Sequence, residues 1–157
     1  MSFSTFSGPL RSGTVKEGAG RNTGVVMLAQ SWDSGDLTGD AIGNFDFQIG
    51  ILPQGAQIIN ILIDQVVAAT AGTTTISVGN ASGGAQLSAA VVTTAGGRFT
   101  GTTTATTQLA WQTSTTADTP VWVRIAVGGA TLTAGRAIVT VVYVQRASNG
   151  AQFPPSA

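Results

Sequence analysis

The stretch "DSGDLTGD" gathers Asp33, Asp36 and Asp40 on a glycine-bearing segment. Clustered carboxylate oxygens suit calcium. The spacing departs from an EF-hand loop, which needs acidic or amide groups at alternate positions and a closing glutamate. A solvated acidic loop is the expectation. Glycoside hydrolysis needs two carboxyls in unlike environments, and no local feature selects a pair from Asp33, Asp36, Asp40, Asp46 and Asp64. The chain contains no histidine and no cysteine. Histidine-based triads, histidine zinc sites, imidazole bases, thiolate chemistry and disulfide staples are therefore excluded. Its single lysine, Lys16, stands in no phosphate-loop pattern, and "GAGRNTG" (Gly18 to Gly24) lacks the strand before and helix after that a dinucleotide fingerprint requires. The expectation is a non-enzymatic protein with no catalytic residue, metal or cofactor.

Two other groups carry binding potential. Trp32, Trp111 and Trp122 would suit a sugar-stacking platform if they shared a surface, although core and interface positions are more usual for tryptophan. Charge is unevenly placed: Asp33 to Asp64 holds five aspartates and no base, while Arg11, Lys16 and Arg21 stand against Glu17 near the start. An acidic body and a basic arm would attract each other, within one molecule or between copies. Three basic groups on a chain of zero net charge are too few for nucleic acid, which demands several phosphate contacts.

The elements that must position these residues are strands. At 157 residues, one domain is expected. Charged residues make up only 9%, against roughly 25% in an average soluble domain, so threonine, serine, glycine and glutamine must cover the surface. Such a weakly charged surface suits an assembly. Residues 1 to 24 lack the apolar core of a secretory signal, and Ile58 to Ala69 is interrupted by Asn60, Asp64 and Gln65, so no membrane span is expected.

Up to Gly24, glycines and Pro9 break every period, which predicts an extended arm over 1–24. Alternation then sets Phe45, Phe47, Ile49 and Ile51 on one face of a strand ended by Pro53 and Gly55. "QIINILIDQVVAA" puts Ile59, Ile61 and Ile63 on one parity with Ile58, Leu62 and Val66 on the other, as in a strand covered on both faces. "TTTISVG" alternates, "NASGG" is a turn, and the threonine-rich Leu87 to Thr107 reads as edge strands. "PVWVRIAV" turns Val121, Val123, Ile125 and Val127 inward and Trp122 and Arg124 outward. "RAIVTVVYVQR" is apolar on both parities, as in a central strand, with "GGATLTAG" as a hairpin turn before it. The fold expected is all-β: an antiparallel β-sandwich or jelly roll over 25–147, with a C-terminal tail over 148–157 and extended arms at both ends.

Three segments, "FSGPLRSGTV", "INILIDQVVAATAGTTTISVGNASGG" and "TPVWVRIAVGGATLTAGRAIVTVVYVQ", resemble the head decoration, or cement, proteins of tailed bacteriophages. Where similar sequences often carry an acidic turn of the "ADPD" kind, this chain has "NASGG". The resemblance implies a structural virion protein on the outer surface of the capsid, bridging neighbouring capsomers of the major capsid protein and self-associating as a trimer or dimer. On that reading Phe3 and Phe6 anchor a docking arm, Pro9 keeps it extended, Arg11, Lys16 and Arg21 meet carboxylates, and Trp122 and Arg124 offer a second contact. The alternative is a carbohydrate-binding β-sandwich module of a tail fibre or secreted protein.

Overall fold

The computed structural model describes residues 25–70, 73–100, 110–111 and 117–146, with only the backbone of Val25, Val26, Gln145 and Arg146. The expected arms over 1–24 and 148–157 lie outside them. Eight strands follow in order: β1 (Val25–Asp33), β2 (Gly43–Leu52), β3 (Ala56–Val67), β4 (Thr74–Gly79), β5 (Ser88–Val92), β6 (Gly97–Thr100), β7 (Thr119–Val127) and β8 (Arg136–Arg146). They form two four-stranded sheets, β1-β8-β3-β6 and β2-β7-β4-β5, with every pairing antiparallel. β1 pairs with β8, β2 with β7, β3 with β6 and β4 with β5, so the chain is one long nested hairpin rolled into two layers. This is an eight-stranded jelly roll, as the alternation predicts.

The core lies between the sheets. Val121, Val123, Ile125 and Val127 of β7 share it with Ala137, Val139, Val141 and Tyr143 of β8, all fully or nearly fully buried. The inward parity expected for β7 is the one observed. β8 lies between β1 and β3 and is central, also as expected, while β5 and β6 occupy sheet edges.

Three expectations need correction. β7 and β8 are not a hairpin, because they belong to different sheets. The segment between them crosses an end of the sandwich, where Leu37 donates to Gly135 O at 2.9 Å and Leu132 donates to Asp40 O at 3.0 Å. Turn composition serves a crossover and a hairpin equally well. In β2 the register shifts between Gln48 and Gly50, and a bulge at Ile49 exchanges the two faces. Phe45 and Phe47 oppose inward Ile125 and Val123, whereas Ile51 opposes Pro120 on the outer face and Leu52 is buried in place of Ile51. In β3 the shift between Ile58 and Asn60 puts Ile58, Ile61 and Ile63 inside and leaves Ile59 exposed. A second shift, between Gln65 and Val67, exposes Val66.

β1 was not expected. Its inward parity is Leu28, Gln30 and Trp32, and the glutamine breaks the alternation that would mark it. Gln30 nevertheless has a task between the layers: Nε2 donates to Ile51 O at 2.8 Å and to Tyr143 Oη at 3.3 Å. Gly50 makes room for it, because a Cβ at Gly50 would collide with the Gln30 carboxamide.

The bulges make a sharp prediction for two adjacent-looking isoleucines. Ile61→Ala is expected to lower stability by about 2–5 kcal/mol through a core cavity, and Ile59→Ala by less than about 1 kcal/mol. Urea denaturation of both variants measures the difference.

Candidate functional site

The aspartates that sequence placed in a possible site are distributed by the sheets onto separate partners. Asp46 in β2 lies directly opposite Arg124 in β7, and the guanidinium grips it twice, Nε to Oδ1 at 2.8 Å and Nη2 to Oδ2 at 3.0 Å. Asp64 in β3 lies opposite Arg98 in β6, with contacts of 2.6 and 3.0 Å. Asp33 in β1 receives Arg136 of β8 diagonally, at 3.1 and 2.5 Å. All three pairs lie across neighbouring strands on outer faces of the sandwich, where opposite charges stabilise pairing modestly. Each of these three carboxylates is thus paired with an arginine on a neighbouring strand, while the basic residues Arg11, Lys16 and Arg21 lie outside the described residues.

Asp36 is turned onto its own loop, its Oδ1 accepting from Thr38 N at 3.0 Å and Thr38 Oγ1 at 2.6 Å. Asp33, Asp36 and Asp40 therefore do not converge. Among the described residues, no group of three acidic, histidine or cysteine side chains is placed to hold a metal ion.

Asp46 does more than pair. Ser82 Oγ donates to its Oδ2 at 2.9 Å and the Gly83 amide donates as well, so the "NASGG" turn is clamped down onto the outer face of the β2-β7-β4-β5 sheet. Gly83 has φ of +76°, and a Cβ there would strike the Arg124 guanidinium. The turn thus depends on glycine for conformation and for space. Beside it on the same face lies half-buried Trp122, opposite Gln48 in β2 and Gly79 in β4. Trp122 and Arg124 both face outward as expected, but Arg124 is already occupied by Asp46. Phe3, Phe6, Pro9, Arg11, Lys16 and Arg21 lie outside the described residues. No feature of the sequence marks the Asp46–Arg124–Ser82 clamp, because it joins two strands and a turn far apart in the chain.

The tryptophans do not form a platform. Trp111 is buried and donates Nε1 to Leu87 O at 2.6 Å. It lines a small apolar recess of about 60 Å³ with Leu52, Ala56, Ile58 and Leu87. Trp32 faces inward from β1 and packs on Phe47 with ring centroids 5.1 Å apart. Only Trp122 stands on an outer face.

No protein-family model matches the chain, and no curated protein matches it significantly. Three solved structures contain chains with a similar fold. One is the capsid of Ralstonia phage GP4: TM-score 0.58, 23% identity, 87% of this chain and 94% of that chain covered. Another is the cyanophage Pam1 capsid asymmetric unit: TM-score 0.53, 22% identity, 85% and 94% covered. The third is the acidic stable capsid of Helicobacter pylori bacteriophage KHP30: TM-score 0.55, 15% identity, 78% and 93% covered. At these identities the likeness is one of fold.

The ion pairs give stability a pH dependence. Hydrogen bonds from Arg136 and Gly35 lower the Asp33 carboxyl to about 2, and those from Arg124 and Ser82 lower Asp46 to about 2. Asp64 is lowered by Arg98 and Asp36 by Thr38. Each carboxyl is more acidic folded than unfolded, where its pKa is about 4. As pH falls the unfolded chain binds protons first, so the stabilisation is present above about pH 4 and is lost towards pH 2. The thermal midpoint is expected to hold between about pH 8 and 6 and to fall between about pH 5 and 2, with a shallower fall in Asp46→Asn. Gly83→Ala is expected to cost about 1–3 kcal/mol at neutral pH through backbone strain and a displaced Arg124, measured by chemical denaturation.

Proposed function

We propose that this chain is a non-enzymatic structural protein of a phage virion, set on the outer surface of the capsid, where it bridges neighbouring capsomers of the major capsid protein. The observation that carries this reading is the match in fold to three chains of phage capsid structures, each covered over at least 93% of its length. The match extends over nearly the whole of each of those chains, not over a fragment of one. The chemistry is consistent with it: the chain has no histidine or cysteine, and Asp33, Asp46 and Asp64 are tied to arginines. A capsid clamp works by contact and needs no reacting group.

Residues 1–24 are the docking arm of this proposal. Phe3 and Phe6 supply apolar anchors, Pro9 restricts an extended stretch, and Arg11, Lys16 and Arg21 meet carboxylates of the shell. Ordering such an arm costs about 1–2 kcal/mol of backbone entropy per residue. Repeated attachment points on an icosahedral shell offset that cost through effective concentration. Trp122, beside the clamped turn, is a second contact that needs no ordering.

Co-sedimentation with expanded, undecorated capsids tests the reading, with glycan-coated beads in parallel. Saturable capsid binding at a stoichiometry matching a symmetry site is expected, and glycan retention without capsid binding would move the chain to the carbohydrate-binding alternative. Deletion of residues 1–20 is expected to weaken capsid binding by at least about tenfold, or 1.4 kcal/mol. Undiminished binding by the deletion would remove the arm from the mechanism.

A further inference from the structure

The two sides of the sandwich are finished differently. On one side the sheets end in the short strands β5 and β6; on the other they end in β1 and β2, of nine and ten residues. Side chains turned inward at the β1–β2 side remain open to solvent. Leu28 is 42% exposed although it lies opposite buried Tyr143, and Phe47 is 39% exposed opposite buried Val123. On the outer face of β1, Met27 is 66% exposed.

The backbone of β1 adds a directional requirement. Ser34 N donates to Ala137 O at 2.9 Å, which fixes the parity of the ladder on β8. In an antiparallel pair, residues alternate between facing the partner strand and facing away. Leu28, Gln30 and Trp32 therefore direct N–H and C=O to β8, while Met27, Ala29, Ser31 and Asp33 direct theirs outward. No strand among the described residues lies on that side. Natural edges are blunted by lysine, proline, a bulge or brevity. β1 keeps an unbroken register with β8, and Val25 to Trp32 contains no charge and no proline.

We propose that β1 is a self-association edge: two copies pair β1 against β1, antiparallel, about a two-fold axis near Ala29, joining their β1-β8-β3-β6 sheets into one. A second copy is the occupant because the strand is its own complement. Pairing centred on Ala29 places outward-directed residues opposite one another, Met27 against Ser31 and Ala29 against Ala29, so each free donor meets a free acceptor. Leu28 comes beside Gln30 of the mate, covering apolar surface that each copy leaves wet. No like charges meet. The one charged residue of the strand, Asp33, sits at its end and is held by Arg136, so the two copies of it lie at opposite ends of the junction. An isologous contact of this kind closes as a dimer, and strand addition draws its affinity from main-chain hydrogen bonds. The proposal is independent of the capsid role.

Sedimentation and residue-resolved amide exchange on the full chain test it together. A concentration-dependent dimer is expected. The amides of Met27, Ala29 and Ser31 should slow by at least about tenfold as dimer forms, while those of Leu28 and Gln30, held by β8 in either state, should not change. Ala29→Pro removes an outward donor without touching the β8 ladder, and is expected to stay folded with its dimer dissociation constant raised at least about 100-fold. If that variant does not fold, Ala29→Lys, which sets two cations opposite each other on the outer face, reads the same interface. A wild-type monomer at about 100 µM overturns the proposal. So does any oligomer whose Met27, Ala29 and Ser31 amides still exchange fast, or a three-fold assembly.

Discussion

The mutual burial of β7 and β8 is the contact on which the rest of the sandwich depends. Each is a long apolar strand at the centre of its own sheet, and each needs a second layer to remove its inner face from water. The chain brings them into opposite layers by nesting one hairpin within another, so that β8 recruits β1 and β3 while β7 recruits β2 and β4. The remaining features adapt to that arrangement. The shifts in β2 and β3 re-aim side chains where strand and core would otherwise fall out of step, and Gln30 with Gly50 fastens the layers where the β1–β2 side is least filled.

Because so little of the surface is charged, the placement of each ion pair matters for what the faces present. Arg98, Arg124 and Arg136 each answer an aspartate on a neighbouring strand, leaving the outer faces locally neutral. Asp36 and Asp40 lie in the connection from β1 to β2, at the end of the sandwich where that loop meets the one between β7 and β8. Among the described residues, the outer faces are therefore nearly neutral, and Asp36 and Asp40 place two carboxylates at that end of the sandwich.

The fold class was legible because the strongest alternations belong to strands with no bulge. β7 shows its parity without exception, and β8 betrays its central place by being apolar on both sides. β2 and β3 misled for one reason: a bulge inverts the parity downstream of it, and the residues at these bulges, Ile49, Ile59 and Val66, are good strand formers that give no local warning. β1 escaped notice because its inward glutamine serves a bond to β2 that only the folded layers create. Crossover and hairpin could not be told apart from "GGATLTAG", since both need a turn and differ only in which distant strand lies alongside. The outward placement of Trp122 and Arg124 was legible. The clamp that occupies Arg124 was not, since it joins Asp46, Ser82 and Arg124 across the sheet.

The pairing of Val25 with Arg146 means that the polypeptide enters and leaves the sandwich through neighbouring positions, about 5 Å apart at Cα. A short glycine-rich bridge between those positions would close the body into a ring, and the ring could be reopened at a surface loop without cutting a strand. It also means that two segments joined directly at Val25 and Arg146 would depart from a single point on one pole. For display work, a cargo and an anchor attached at those two positions would therefore compete for the same space instead of sitting on opposite sides of the molecule.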